Sequence, residues 1–443
     1  MSEPAAAEGD GNRSAARTNW NAKLDAETRA ILDEDAAVFL HQSLSTPCLD
    51  AIVGAEGAEL IDVAGRRILD FHGNSVHQVG YGHPRVVAAI KDAIDVLPFS
   101  PRRYTNRYAI DLARRLADLA PGDLGKVLFA PSGSAAIGMA LKLARYATGR
   151  HKTLSMWDSF HGANLDAISV GGEALFQRGV GPLLSGAEHV PPLDLAARFF
   201  GHGEAAFDRL ADYIDYVLSL QGDVAALIAE PVRWTTVVKP PATFWRQVRA
   251  SCDRNGTLLV FDEIPSCLGR TGTMFASEQA GCTPDILVIG KGLGGGIMPM
   301  AAIIARPELD VVPQAAIGHY THEKSPVGAA AGLATLGVIE DEGLVARARE
   351  LERIGLMHLD QIARRHPFLA EGRSAGAMLA IAVEGPTPAE TAEAILYAAL
   401  ERGLSFKIGG RNVITLCPPL NIPLGQFDRA FAILDEAVAA QAP

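Results

Sequence analysis

Apolar positions along the chain recur at two spacings. Short uninterrupted runs, Val127-Leu128-Phe129, Ala225 to Ala229, Leu258 to Phe261 and Ile286 to Ile289, have the length and composition of strands buried on both faces. Stretches with helical spacing fall between them, such as Leu112, Leu116 and Leu119. This alternation predicts an α/β protein whose mostly parallel sheet is flanked by helices. Towards the front, Glu59-Leu60-Ile61-Asp62-Val63 and Ile68-Leu69-Asp70-Phe71 flank the turn Gly65-Arg66-Arg67, which predicts two short strands of a separate small sheet. At the other end Phe427, Phe431, Leu434 and Val438 share one helical face, and Glu401-Arg402-Gly403 after Leu400 is a helix stop. The carboxyl end therefore reads as an α+β lobe. Residues 1 to 18 carry Ala, Gly, Ser and charges without apolar period, a composition that predicts a loose tail.

Length and charge narrow the class. A chain of 443 residues exceeds one ordinary core and predicts two lobes. Its net charge of -11 repels phosphate backbones, which argues against nucleic acid and anionic membrane surfaces as partners. The five cysteines, Cys48, Cys252, Cys267, Cys282 and Cys417, are odd in number and contain no CxxC pair. Neither a disulfide framework nor a metal site is expected from them, and a reducing cytoplasm is the natural compartment. No apolar run approaches the roughly 18 to 20 residues that span a bilayer, and Met-Ser-Glu-Pro-Ala lacks the pattern of an export signal.

Three segments carry chemistry. The run Leu258 to Phe261 ends in Asp262-Glu263, placing carboxylates at the carboxyl edge of the sheet, where open α/β folds bind ligands. Taken alone, such an acid is as readily a helix cap. The strand Ile286 to Ile289 leads through Gly290 into Lys291 and the turn Gly292-Leu293-Gly294-Gly295-Gly296. An amine held there is desolvated and nucleophilic, although a surface lysine in a mobile loop has the same local sequence. Finally, Pro131-Ser132-Gly133-Ser134 opens a helix, offering backbone NH groups to a phosphate or simply capping the helix. Acid, amine and phosphate cup together match the needs of pyridoxal 5'-phosphate.

These residues belong to a longer set of ordered motifs: Ser132-Gly133-Ser134, Phe160-His161-Gly162, Ala229-Glu230-Pro231-Val232, Phe261-Asp262-Glu263-Ile264, Leu268-Gly269-Arg270-Thr271-Gly272, Gly290-Lys291-Gly292, Thr321 before Pro326, and Pro418-Pro419-Leu420. From about residue 30 to the end the chain resembles the class III aminotransferases of pyridoxal phosphate fold type I. The resemblance implies a large domain with a seven-stranded, mostly parallel sheet at 76–328. It also implies a small α+β domain built from 19–75 and 329–443. By it Lys291 carries the cofactor, Asp262 holds the pyridine nitrogen, Phe160 stacks on the ring, and Ser132, Gly133 and Ser134 bind phosphate. His161, Glu230 and Ile264 complete the cofactor shell. Thr321 would reach the phosphate of a neighbouring subunit, which implies a homodimer with interface active sites.

Departures from the family pattern shape the expected reaction. Pro265 stands where the family usually has a glutamine that donates to the cofactor's phenolic oxygen, and proline donates nothing. Thr415 stands where transaminases of the class carry an arginine that forks onto a substrate carboxylate. A transaminase must bind an oxo acid, so loss of that clamp favours an enzyme that only eliminates. The runs His41 to Cys48, Phe71 to Pro84 and Tyr320 to Pro326 resemble a branch of the class that releases ammonia from small hydroxy-aminophosphonates. An ammonia-lyase acting on a small-molecule amine of that kind is the expected function, with transamination of ω-amino acids or amines as the alternative. Arg103, within Arg102 to Arg107, and Arg411 are the expected anion-binding residues. His72, His77 and Lys291 itself are candidates to assist the departing hydroxyl.

Overall fold

A computed structural model describes residues 14–43 and 48–441. Residues 1–13 of the expected tail and 44–47 of the His41 to Cys48 motif lie outside the described residues.

A seven-stranded sheet forms the centre, in the spatial order Lys126–Ala130, Ala301–Ala305, Ile286–Ile289, Leu258–Asp262, Val224–Ala229, Lys152–Met156 and Ala187–Val190. Ala301–Ala305 runs antiparallel to both neighbours, and the other six strands are parallel. Because both faces are covered, alternate residues of an apolar run enter different cores. Val260, Ile286 and Val288 pack with Ala136, Ile137 and Ala140 of the helix Gly133–Thr148. Leu259, Phe261, Leu287 and Ile289 pack on the opposite side with Phe244, Trp245 and Val248 of the helix Ala242–Asn255. Each such side chain contributes roughly 1.5–3 kcal/mol through burial.

Two four-stranded sheets flank this centre. In the first, Ile52–Glu56, Glu59–Asp62 and Arg67–Asp70 form an antiparallel meander, and Leu404–Ser405 adds in parallel to Arg67–Asp70. The front of the chain is thereby tied to its last hundred residues. In the second, Arg373–Ala375, Met378–Ala382, Val413–Leu416 and Lys407–Gly409 are antiparallel. The helix Leu424–Ala439 buries Phe427, Phe431, Leu434 and Val438, the face read from their spacing.

The expected loose tail requires correction over residues 14–18. A helix, Ala15–Lys23, starts there, with Ser14 Oγ accepting the Arg17 NH at 3.0 Å. It is held by tertiary contacts: Arg17 is buried, Trp20 donates to the Leu49 carbonyl at 2.7 Å, and its ring lies 6.2 Å from that of Tyr397. Partners so distant in sequence leave no trace in local composition.

Candidate active site

Five parallel strands end on one side of the central sheet, and the residues that follow them meet in a cavity of about 420 Å³. Lys126–Ala130 delivers Ser132, Gly133 and Ser134, while Lys152–Met156 leads to Phe160 and His161. Val224–Ala229 ends in Glu230, and Trp234 follows. Leu258–Asp262 contributes Asp262 and then Ile264, and Ile286–Ile289 leads to Lys291. Ligands of open α/β folds bind at this edge because side chains and helix amino termini converge there.

Asp262 is buried between two donors. His161 Nδ1 donates to its Oδ2 at 2.8 Å and the Ile264 NH to its Oδ1 at 3.1 Å. Since a carboxylate only accepts, the imidazole proton sits on Nδ1. The other nitrogen, Nε2, has no protein partner among the described residues. Glu230 accepts the Trp234 NH at 2.8 Å and an Arg233 Nη1 contact at 3.4 Å. Burial pushes its carboxyl above the usual range, with the Arg233 charge opposing.

Lys291 occupies a strained turn. Its φ of +48° lies in the left-handed region, which costs a non-glycine residue roughly 1–2 kcal/mol. Its neighbour must be small, because a Cβ on Gly292 would lie 1.9 Å from Gln78 Oε1. The Lys291 ammonium lies over the Trp234 indole, 4.4 Å from its centroid.

The donor set fits pyridoxal phosphate. A buried carboxylate with fixed orientation, an amine on a sheet-edge turn, and a Ser-Gly-Ser segment at the start of a 16-residue helix face one cavity. Glycine is required where this cradle is tightest: a Cβ on Gly133 would lie 2.8 Å from Ile264 Cδ1, and one on Gly162 2.4 Å from Ser134 Oγ. Ser134 Oγ also accepts the Ala163 NH at 3.0 Å, which fixes the two loops together.

The aminotransferase class-III family model matches residues 42–438. The chain belongs to the class III aminotransferases. An (R)-1-hydroxy-2-aminoethylphosphonate ammonia-lyase from Vibrio splendidus is 44% identical, over 98% of this chain and 95% of the relative. Among solved structures, an amine transaminase from an uncultivated Pseudomonas species, in its PLP-bound form, superimposes with TM-score 0.83. It is 30% identical, covering 91% of this chain and 98% of its own. An (S)-enantioselective omega-transaminase from Thermomicrobium roseum gives TM-score 0.85 at 27% identity, covering 95% and 98%. Class III aminotransferases use pyridoxal 5'-phosphate.

Of the residues read from the class III motifs, Ser132, Gly133, Ser134, Phe160, His161, Glu230, Asp262, Ile264 and Lys291 line the cavity, as does Pro265. His72 adjoins it, its ring stacked 6.3 Å from that of Trp234. His77 does not line it. That ring is buried against Tyr81, with Nε2 3.1 Å from the Asp70 carbonyl, and burial lowers its pKa. Arg103, Arg411 and Thr321 are exposed and outside the cavity of a single chain. The expectation that Arg103 or Arg411 binds substrate thus finds no support in the geometry of one subunit. Arg103 lies on a turn facing solvent, and Arg411 sits at φ +75° in the exposed turn before Val413–Leu416.

Sequence reading missed Trp234 and Lys407. The Lys407 ammonium lies 4.0 Å from the Trp234 centroid, over the same indole as Lys291. The available signal was an aromatic residue four positions after the strand-end Glu230. Nothing in the local sequence of Lys407 distinguishes it from a surface lysine.

Proposed function

We propose that this class III aminotransferase is an ammonia-lyase that converts (R)-1-hydroxy-2-aminoethylphosphonate, or a close hydroxy-aminophosphonate, to phosphonoacetaldehyde and ammonia. The observation that carries the reading is 44% identity, running almost end to end, with a relative of that name. Geometry supports it at Thr415. This residue is buried and its Oγ1 donates to the Lys407 carbonyl at 3.0 Å, so the strand that would carry a carboxylate-clamping arginine presents a neutral side chain already engaged.

Bound in the cavity, pyridoxal phosphate supplies a carbonyl that takes up the substrate amine and a ring that withdraws electrons from the adjacent carbon. Ser132, Gly133, Ser134 and the NH groups of the helix start hold its phosphate. Asp262 keeps a proton on the ring nitrogen, and His161 fixes the orientation of that carboxylate. Phe160, on the cavity wall, would pack against the ring. Lys291 would hold the cofactor and, once displaced by the substrate amine, would accept the proton from the carbon bearing nitrogen. The hydroxyl on the neighbouring carbon leaves as water with a proton from Lys291 or His72. Lys291 would then displace the product nitrogen from the cofactor, and the released enamine would tautomerise and hydrolyse with one water to the aldehyde and ammonia; the water lost equals the water taken up, and no oxidant, reductant or second substrate is consumed.

The enzyme acts as a homodimer in the cytoplasm. Support for the dimer is local: segments 99–106 and 319–324 meet at the surface, with Phe99 and His322 rings 5.2 Å apart and Asn106 Nδ2 donating to the Lys324 carbonyl at 3.0 Å. Arg103 and Thr321, both exposed there, are available to a partner's site. The reading for the compartment is compositional: five cysteines, an odd number without a CxxC pair, do not suggest a disulfide framework. Incubating the holoenzyme with the aminophosphonate, with and without pyruvate, tests the reaction. Ammonia in both and alanine in neither is expected, whereas alanine formed only with pyruvate overturns the lyase in favour of a transaminase.

A further inference from the structure

We propose that Lys407 is the specificity-determining residue that binds the phosphonate end of the substrate. The inference rests on the lyase reading and names the group behind its selectivity. Lys407 starts the strand Lys407–Gly409, which pairs antiparallel with Val413–Leu416 in a register that sets Lys407 opposite Thr415. Directly opposed residues of such a pair project from the same face of the sheet. Lys407 thus stands on the same face as position 415, one strand over, and supplies a cation where Thr415 supplies none.

Lys407 does not itself line the cavity, but its ammonium lies on a residue that does. Trp234 lines the cavity and is 5% exposed, and its indole carries the Lys407 nitrogen at 4.0 Å and the Lys291 nitrogen at 4.4 Å from the centroid. His72 stacks on the same ring. Two ammonium groups on one largely buried indole create a positive potential beside the reacting amine, and their low-dielectric floor strengthens attraction to an anion. Because both ammonium groups share one ring, the anion they serve lies a short molecule's length from the amine.

The chemistry of the cation selects the anion. A guanidinium forks onto carboxylate and phosphonate alike, whereas a compact ammonium with three rotatable donors serves a tetrahedral phosphonate as a point charge and offers a carboxylate no planar fork. Lysine on one strand with threonine on the next therefore replaces the carboxylate fork expected at position 415 with a point charge that the more highly charged phosphonate engages more strongly.

Calorimetric titration of the holoenzyme tests this, with 2-aminoethylphosphonate, which lacks the hydroxyl to eliminate, and n-propylamine as probes. Lys407→Met should weaken the aminophosphonate roughly 10- to 100-fold, the effect of one charge-assisted contact, and leave propylamine within about twofold. Lys407→Arg should recover most of the loss. Equal weakening of both probes, which a merely structural lysine or one that only tunes Lys291 would produce, overturns the assignment. So does unchanged binding of both. Failure of the lyase reading is scored separately, by absence of ammonia from wild-type enzyme and (R)-1-hydroxy-2-aminoethylphosphonate. Selective loss in Lys407→Met would still support Lys407 as the anion site.

Discussion

Replacing Asp262 with Asn separates the structural from the chemical role of this carboxylate. The substitution is nearly isosteric. Its amide oxygen can accept the Ile264 NH now held at 3.1 Å, and its NH2 can donate to His161 Nδ1, now at 2.8 Å, once the imidazole proton moves to Nε2. Exchanging one buried charge-assisted hydrogen bond for a neutral one costs roughly 1.5–3 kcal/mol at most, so the variant should fold. Catalysis loses more. A full charge at hydrogen-bond distance, about 3 Å, is worth roughly 5 kcal/mol at an effective dielectric near 20, and an amide cannot hold a proton on the ring nitrogen. At about 1.4 kcal/mol per tenfold, the rate should fall roughly 10³- to 10⁴-fold. Ammonia release per bound cofactor gives the rate, and a thermal melt gives the stability. Turnover within tenfold of wild type in a folded variant would refute the role. A variant that fails to fold would show that the pair with His161 is chiefly structural.

Two other predictions follow from the same geometry. Lys291→Ala should lose the borohydride-reducible adduct with cofactor, and mass mapping of that adduct to another of the nine lysines of the chain would contradict the assignment. Glu263, wholly buried, accepts the Ser277 NH at 2.7 Å and the Ala276 NH at 2.5 Å, yet burial pushes its carboxyl up to about 7. A folded-state value above the usual 4.5 means the native protein binds this proton more tightly than the unfolded chain. Its contribution is fully present below about pH 4.5 and is lost as pH rises to about 7, a decline of about 3 kcal/mol. Glu263→Gln should flatten that limb of the stability-pH curve from chemical denaturation; an unchanged slope would assign it to other groups.

The parts of this molecule that were legible in sequence are those encoded locally. Leu258 to Phe261 and Ile286 to Ile289 are apolar on both faces, so they read as central strands, and the residues at their ends, Asp262 and Lys291, read as site residues. Ala187–Val190 did not, because an edge strand carrying Glu188 and His189 has no apolar run. Ala301–Ala305 passed unread because its three alanines make a weak strand signal, and its reversed direction is set by pairing on both sides. The arginine cluster makes Arg103 a candidate for the site, and in one subunit it faces solvent, because charge along the chain does not report which way a turn faces. Lys407 escaped for the opposite reason. Its importance comes from register with Thr415 and from a tryptophan 173 positions away in the chain.

The most direct measurement of the central claim is a stoichiometry. Wild-type holoenzyme is incubated with excess (R)-1-hydroxy-2-aminoethylphosphonate and no oxo acid, and ammonia and phosphonoacetaldehyde are quantified over time. Equal amounts of both are expected, rising through many turnovers per active site. Product that stops at one equivalent of enzyme, or that requires pyruvate to continue and then appears with alanine, would contradict it.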